Sequence, residues 1–252
     1  MATKKGVYLL PNLLTTAALF CGFYAILAAM NGTFEIAAIA VFVAMILDGL
    51  DGRVARMINA QSDFGAEYDS LSDLVSFGLA PALIVYLWAL VYMKDVNIAW
   101  GRLGWMASFI YVACAAIRLA RFNTQLGASG ADEKRYFTGL PSPSAAAVMV
   151  GMVWVFHDLD VHGKLIQIPA LLITVGTGLL MVSNIKFRSF KDLDIKNKVP
   201  HTAVLVMVLI FALTAIDPPK VLFIAFLMYT LSGPGAWLYN RTRKTKETPS
   251  IE

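Results

Sequence analysis

Asp48, Asp51, Asp69 and Asp73 are the residues whose type and spacing point most directly to chemistry. They lie at the ends of two very apolar segments, within Asp48-Gly49-Leu50-Asp51-Gly52-Arg53-Val54-Ala55-Arg56 and, eight residues on, Gly65-Ala66-Glu67-Tyr68-Asp69-Ser70-Leu71-Ser72-Asp73. An ionised side chain at a bilayer centre costs about 2.5–3.5 kcal/mol on insertion scales, so it normally faces a bundle interior or a wet cavity and has a partner. At 3.6 residues per turn, spacings of three, four, seven and eight place Asp48, Asp51, Gly52, Ala55 and Arg56 on one helical face. Gly65, Asp69 and Asp73 share a face of the next helix. The short connection predicts antiparallel neighbours whose acidic faces converge. Repulsion among four carboxylates calls for hard cations, and an all-oxygen ligand set without Cys or His favours magnesium, manganese or calcium, as one or two ions. Gly52 and Gly65 leave room where helices and ligand crowd, and Arg56 offers a planar fork for phosphate oxygens. This face suits a diphosphate held by metal. Ordinary interfacial salt bridges to Arg53 and Arg56 would not require the repeated i+3 and i+4 placement of acids across a tight turn. Arg53 points off the shared face and reads as a membrane-surface anchor.

The elements that must position these residues are membrane helices. Of 252 residues, 58% are hydrophobic and only 15% charged, with a mean hydropathy of +0.65, whereas soluble domains carry about a quarter charged residues. The chain therefore reads as an all-α polytopic membrane protein. Apolar runs long enough to cross fall at 9–30, 34–57, 65–92, 104–121, 142–157, 166–184, 200–216 and 219–240, about eight helices. With the amino terminus cytoplasmic, seventeen of the 21 basic residues fall on the inside, from Lys4 and Lys5 to Lys244 and Lys246, and four, Lys94, Arg102, Lys164 and Lys220, fall opposite. That asymmetry places both termini and the acidic motif in the cytoplasm. The net charge of +4 is spread in short clusters between apolar runs, which is membrane topology and excludes a nucleic-acid-binding face. Cys21 and Cys114 lack metal-type spacing and read as small hydrophobes. The basic then apolar amino-terminal stretch resembles a signal peptide, but runs too long and leads straight into another span, so it is read as a retained first helix. Residues 1–240 read as one membrane-embedded catalytic domain and 241–252 as a charged, solvated tail.

The pattern D-x2-D-G-x2-A-R-x8-G-x3-D-x3-D, matched at all eight fixed positions, resembles the signature of the CDP-alcohol phosphotransferase family. The resemblance implies that Asp48, Asp51, Asp69 and Asp73 surround two metal ions, Mg2+ or Mn2+. It implies that Gly52, Ala55, Arg56 and Gly65 accommodate the CDP group and its diphosphate, and that Asp73 is the general base. It also implies a homodimer.

The signature names the reaction class and leaves the acceptor open. Pro11-Asn12, the run Ser76-Phe77-Gly78-Leu79-Ala80-Pro81, Arg118-Leu119-Ala120-Arg121-Phe122-Asn123, Phe137-Thr138-Gly139-Leu140-Pro141-Ser142-Pro143 and the stretch 183–191 together resemble the integral-membrane type of phosphatidylserine synthases. That resemblance covers nearly the whole chain and implies CDP-diacylglycerol and L-serine as substrates, CMP as product and a bacterial cytoplasmic membrane as the setting. A free amino acid brings a carboxylate and an ammonium as well as a hydroxyl, so its pocket needs polar recognition beyond the metals. Arg118, Arg121 and Asn123 can supply it, with Gly139 and Pro141 nearby, although the arginines can equally anchor a helix end and the prolines a helix entry. Asn12 is a donor-site candidate. Lys186, Arg188 and Lys191 can attract an anionic lipid, although an ordinary basic loop explains them equally well. His157 and His162 fall on the far side and His201 at the start of a span, so no metal-binding trio is expected. Glu67 lies off the shared face, where a capping role fits. Glycerol 3-phosphate or inositol phosphate as acceptor, or an ether-lipid donor, stay open within the class. Outside it stand an intramembrane prenyltransferase, whose acids would come as two separated sets, and a cation-binding transporter.

Overall fold

The computed structural model describes residues 9–60, 62–125, 136–188 and 212–246. Helices α1 (Leu9–Met30) and α2 (Phe34–Met57) form an antiparallel hairpin closed by three residues. Both helices bury small residues, Ala18, Gly22, Ala25, Ala28 and Ala29 on α1 and Ala37, Ala38, Ala40 and Ala44 on α2. Such residues let helix backbones approach closely where lipid removes the hydrophobic drive between helices. A third rod follows in three parts, α3 (Asp63–Asp73), a π-helical turn (Leu74–Leu79) and α4 (Ala80–Trp88). After a 3-10 segment (Leu90–Asp95), α5 (Ile98–Gln125) returns to the end of the molecule that carries the acids. Strand β1 (Tyr136–Thr138), α6 (Ser142–Asp158), a second 3-10 turn (Gly163–Ile166), α7 (Gln167–Val182), strand β2 (Lys186–Arg188) and α8 (Pro218–Lys246) complete the described chain.

Helix α6 is the centre of the bundle, with every residue from Ser144 to Val155 buried. A helix apolar on all sides suits that central place. Among the described residues, five rods are long and apolar enough to cross a membrane: Leu9–Met30, Asp63–Trp88, Ile98–Thr124, Gly163–Val182 and Pro218–Tyr239. Large apolar side chains such as Phe20, Phe109, Leu172 and Met228 remain more than half exposed on them, which suits lipid and not water. The chain is an integral membrane protein.

Expected and observed bounds coincide for α1 and α2. The run expected at 65–92 is interrupted, because the chain leaves the helix after Trp88 and tightens into the 3-10 segment. The span expected at 200–216 lies mostly outside the described residues, as do Lys4, Lys5, Lys134, Arg135, Lys191 and His201. The last helix continues past Tyr239 to Lys246.

A two-stranded antiparallel ribbon was not expected. Thr138 pairs with Lys186, Phe137 with Phe187 and Tyr136 with Arg188, which joins the entry to α6 with the exit from α7. Phe187 pins the ribbon beneath α8: its ring is fully buried and 5.9 Å from that of Tyr229. Gly233 lies against this ring where any Cβ would overlap it. At the opposite end Lys164 Nζ pairs with Asp95 Oδ2 at 2.9 Å, and His157 packs edge-on to Phe34 with centroids 6.1 Å apart. The two histidines of this loop are thus remote from the acids.

Candidate active site

Helices α2 and α3 deliver the acids, and α1 packs against both. Oxygens of Asp48, Asp51 and Asp69 all lie within 4.8 Å of one another. Asp51 is buried and the other two partly so. Asp73, one turn beyond Asp69, stands beside Asp48 and within electrostatic reach of the Arg118 guanidinium. The expected convergence of two acidic faces is present, with three carboxylates in the tight group and the fourth adjoining it through Asp48.

The chemistry of this group fits a hard divalent cation. Three carboxylates this close repel one another, and Asp69 Oδ1 is buried without a hydrogen-bond partner among the described residues. A buried, unpartnered carboxylate oxygen is costly unless something other than the protein's own donors satisfies it, and an oxygen-ligated cation does so.

Beside the acids lies a cavity of about 420 Å³ lined by Pro11, Asn12 and Thr15 of α1, Asp51, Gly52, Ala55 and Arg56 of α2, Ala60 and Ser62 of the connection, and Asp63, Gly65, Ala66 and Asp69 of α3. Ligand pockets are typically about 300–1,000 Å³. Every signature position expected to hold a nucleotide diphosphate, Gly52, Ala55, Arg56 and Gly65, reaches this cavity, and so does Asn12. Among the described residues a Cβ on Gly52 would meet only Arg56 Nη1, at 3.8 Å, and the glycine lines the cavity. Gly65 is crowded by protein, its Cβ position lying 3.1 Å from Ser62 Oγ. Ser62 caps α3, its Oγ accepting from the Gly65 N–H at 3.0 Å. The amino terminus of α3 therefore borders the cavity, and together with Arg56 it favours an anion there. The capping role expected of Glu67 falls to Ser62. Glu67 Oε2 instead accepts from Asn123 Nδ2 at 3.3 Å. Arg53 is exposed and off the cavity.

The second group of expected residues gathers at the same end without lining this cavity. Arg118 Nη1 donates to Ser142 Oγ at 2.6 Å, and its charge acts on both Asp73 and Asp48. Arg121 Nη2 donates to Asn184 Oδ1 at 3.0 Å. Asn123 is tied to α3 through Glu67 and through Ser70, whose Oγ is 3.1 Å from Asn123 Oδ1. Gly139 has a backbone reason to be glycine: its φ is +81° and a Cβ would run into the Met181 carbonyl, while its N–H donates to the Ile185 carbonyl at 2.9 Å. Pro141 is the N-cap position of α6. Lys186 is exposed and Arg188 ends β2, so the ribbon carries both to this end.

Several participants were missed in the sequence. Thr15 Oγ1 donates to Asp51 Oδ2 at 2.7 Å, Ser142 holds Arg118, and Tyr111 supports the turn that follows Asp73, its hydroxyl donating to the Phe77 carbonyl at 3.0 Å. A helical Thr accompanying Asn12 one turn away in an otherwise apolar segment was the available signal for Thr15.

The chain matches the model of a family described as CDP-alcohol phosphatidyltransferase over residues 8–182. Among relatives, the CDP-diacylglycerol–serine O-phosphatidyltransferase of Helicobacter pylori is 36% identical over 237 residues, covering 92% of each chain. The protein of that name from Mycobacterium bovis is 32% identical over 92% of this chain and 80% of its own. The one from Bacillus subtilis is 33% identical over 72% of this chain and 91% of its own.

Proposed function

The chain belongs to the CDP-alcohol phosphatidyltransferase family, and from that premise we propose that it is a phosphatidylserine synthase, transferring the phosphatidyl group of CDP-diacylglycerol to the hydroxyl of L-serine and releasing CMP. The observation that carries the reaction is the cluster of Asp48, Asp51 and Asp69 beside a cavity that ends on Arg56 and the amino terminus of α3. The name shared by the relatives from three genera supports serine as acceptor.

Asp48, Asp51, Asp69 and Asp73 would hold the metal, as two ions of Mg2+ or Mn2+. Divalent cations bound there supply Lewis-acid stabilisation of the diphosphate and of the charge that develops on the departing nucleotide. Arg56 and the α3 amino terminus orient the diphosphate, with Gly52 and Ala55 keeping the cavity wall low enough for the nucleotide and Asn12 bordering it. The serine oxygen attacks the phosphorus that bears the diacylglycerol. A new O–P bond forms there, the bond from that phosphorus to the oxygen bridging to CMP breaks, and the hydroxyl proton passes to Asp73. Arg118, beside Asp73, faces the serine carboxylate, supported by Arg121 and Asn123. Lys186 and Arg188 attract the anionic lipid.

The distribution of basic residues supports a cytoplasmic site, with eight crossings in a bacterial inner membrane, and the resemblance supports assembly as a homodimer. The donor's acyl chains stay in the bilayer while its nucleotide reaches water. The test is purified protein given CDP-diacylglycerol, Mg2+ or Mn2+, and serine, glycerol 3-phosphate or inositol phosphate in parallel, following CMP. Serine is expected to be the productive acceptor. Equal rates with all three would remove the serine assignment, and release of CMP after exhaustive chelation would remove the metal.

A further inference from the structure

Helix α1 carries none of the signature acids, yet it touches both helices that do. Thr15 is buried to 4% exposure and Asp51 to 5%. Thr15 Oγ1 lies 2.7 Å from Asp51 Oδ2 and 3.1 Å from the Pro11 carbonyl. The latter is the ordinary acceptor for a helical Thr hydroxyl. The single hydroxyl proton goes to the carboxylate, because that bond is shorter and charge-assisted. The backbone of the same residue faces the other way: Ser72 Oγ, on α3, donates to the Thr15 carbonyl at 3.2 Å. One turn on, Ser76 Oγ donates to the Ala18 carbonyl at 3.1 Å, and Gly22 packs so closely on Ser76 that a Cβ there would overlap its Cα and side chain. Thr15 is therefore the point at which α1 grips α2 by its side chain and α3 by its carbonyl.

We propose that Thr15 is a positioning residue of the acid cluster, its buried hydroxyl fixing the orientation of Asp51 toward Asp48 and Asp69 while its backbone sets how far α3 stands from α2. This rests on the metal-site reading above. Hydrogen-bond partners behind a ligating carboxylate typically contribute about 10–100-fold in metal affinity. Valine is close to isosteric with threonine and lacks the hydroxyl, and serine restores the hydroxyl without the methyl group.

The experiment measures Mn2+ binding to the purified full-length protein in detergent, from the electron paramagnetic resonance signal of free Mn2+, for wild type, Thr15→Val and Thr15→Ser, with thermal unfolding in EDTA run alongside. Thr15→Val is expected to bind Mn2+ about 10–100-fold more weakly, with Thr15→Ser restored to within about 3-fold and the unfolding temperatures in EDTA close together. Thr15→Val binding as tightly as wild type, or Thr15→Ser as weak as Thr15→Val, would overturn the assignment of Thr15. Wild type failing to bind Mn2+ would instead overturn the metal site on which it rests.

Discussion

Replacing Asp69 by asparagine should make the metal-free protein more stable while abolishing its activity. Two unit charges at the widest spacing in the cluster, 4.8 Å, repel by about 3.5 kcal/mol at an effective dielectric constant of about 20. Asp69→Asn removes two of the three pairs among Asp48, Asp51 and Asp69 and keeps the side chain's size. For a chain of this length 1 kcal/mol moves the unfolding temperature by about 2–4 °C. Relief of about 1 kcal/mol of the repulsion therefore gives a rise of about 2–4 °C in EDTA. Metal should do for the wild type what the substitution does for the variant. At 100 times its Kd a ligand adds about 2.7 kcal/mol, or roughly 5–10 °C. The assay is thermal unfolding of purified wild type and Asp69→Asn in detergent, with EDTA or saturating Mn2+, beside CMP release. The expected pattern is a variant that melts above wild type in EDTA, gains less from Mn2+ and releases no CMP. A variant that melts below wild type in EDTA, or gains as much from Mn2+, would refute the view of these acids as a charge-strained cradle for a cation.

Asp73→Asn should slow CMP release by about 10²–10⁴-fold, the usual contribution of a positioned general base, while donor affinity changes little; wild-type turnover in that variant would end the role assigned to Asp73. Gly139→Ala should cost at least about 1–2 kcal/mol, because a left-handed backbone is imposed on a side chain that also meets the Met181 carbonyl, and a fall of several degrees in unfolding temperature is the measurement that checks it.

The acid cluster was legible because its geometry is local. Spacings of three and four along Asp48–Arg56 and Gly65–Asp73 decide which residues share a face, and the short connection leaves those faces little choice but to meet. The bounds of α1 and α2 were legible for a similar reason, since Asn31-Gly32-Thr33 interrupts a continuous apolar run. What escaped were partnerships between distant segments. Thr15 and Asp51 are 36 positions apart, Tyr111 and the Phe77 carbonyl 34, Arg118 and Ser142 24. No periodicity links such pairs. The ribbon of β1 and β2 escaped because three-residue strands carry no readable alternation, and the cap on α3 escaped because Ser62, whose hydroxyl the first turn uses, sits in the connection where the signature fixes no residue.

The wide turn at Leu74–Leu79 makes the rod behind Asp69 and Asp73 a poor place for evolution to add or lose a residue. One residue corresponds to about 100° of helical rotation, so a deletion there would leave a span of unchanged greasiness and nearly unchanged length, yet swing both aspartates away from Asp48 and Asp51. Lengthening the connections at either end of the bundle carries no such angular penalty. Sequences that keep this chemistry are thus expected to vary in length at their loops and to hold the count between Asp73 and Ala80 constant, for the same reason that a key tolerates a longer bow but not a rotated blade.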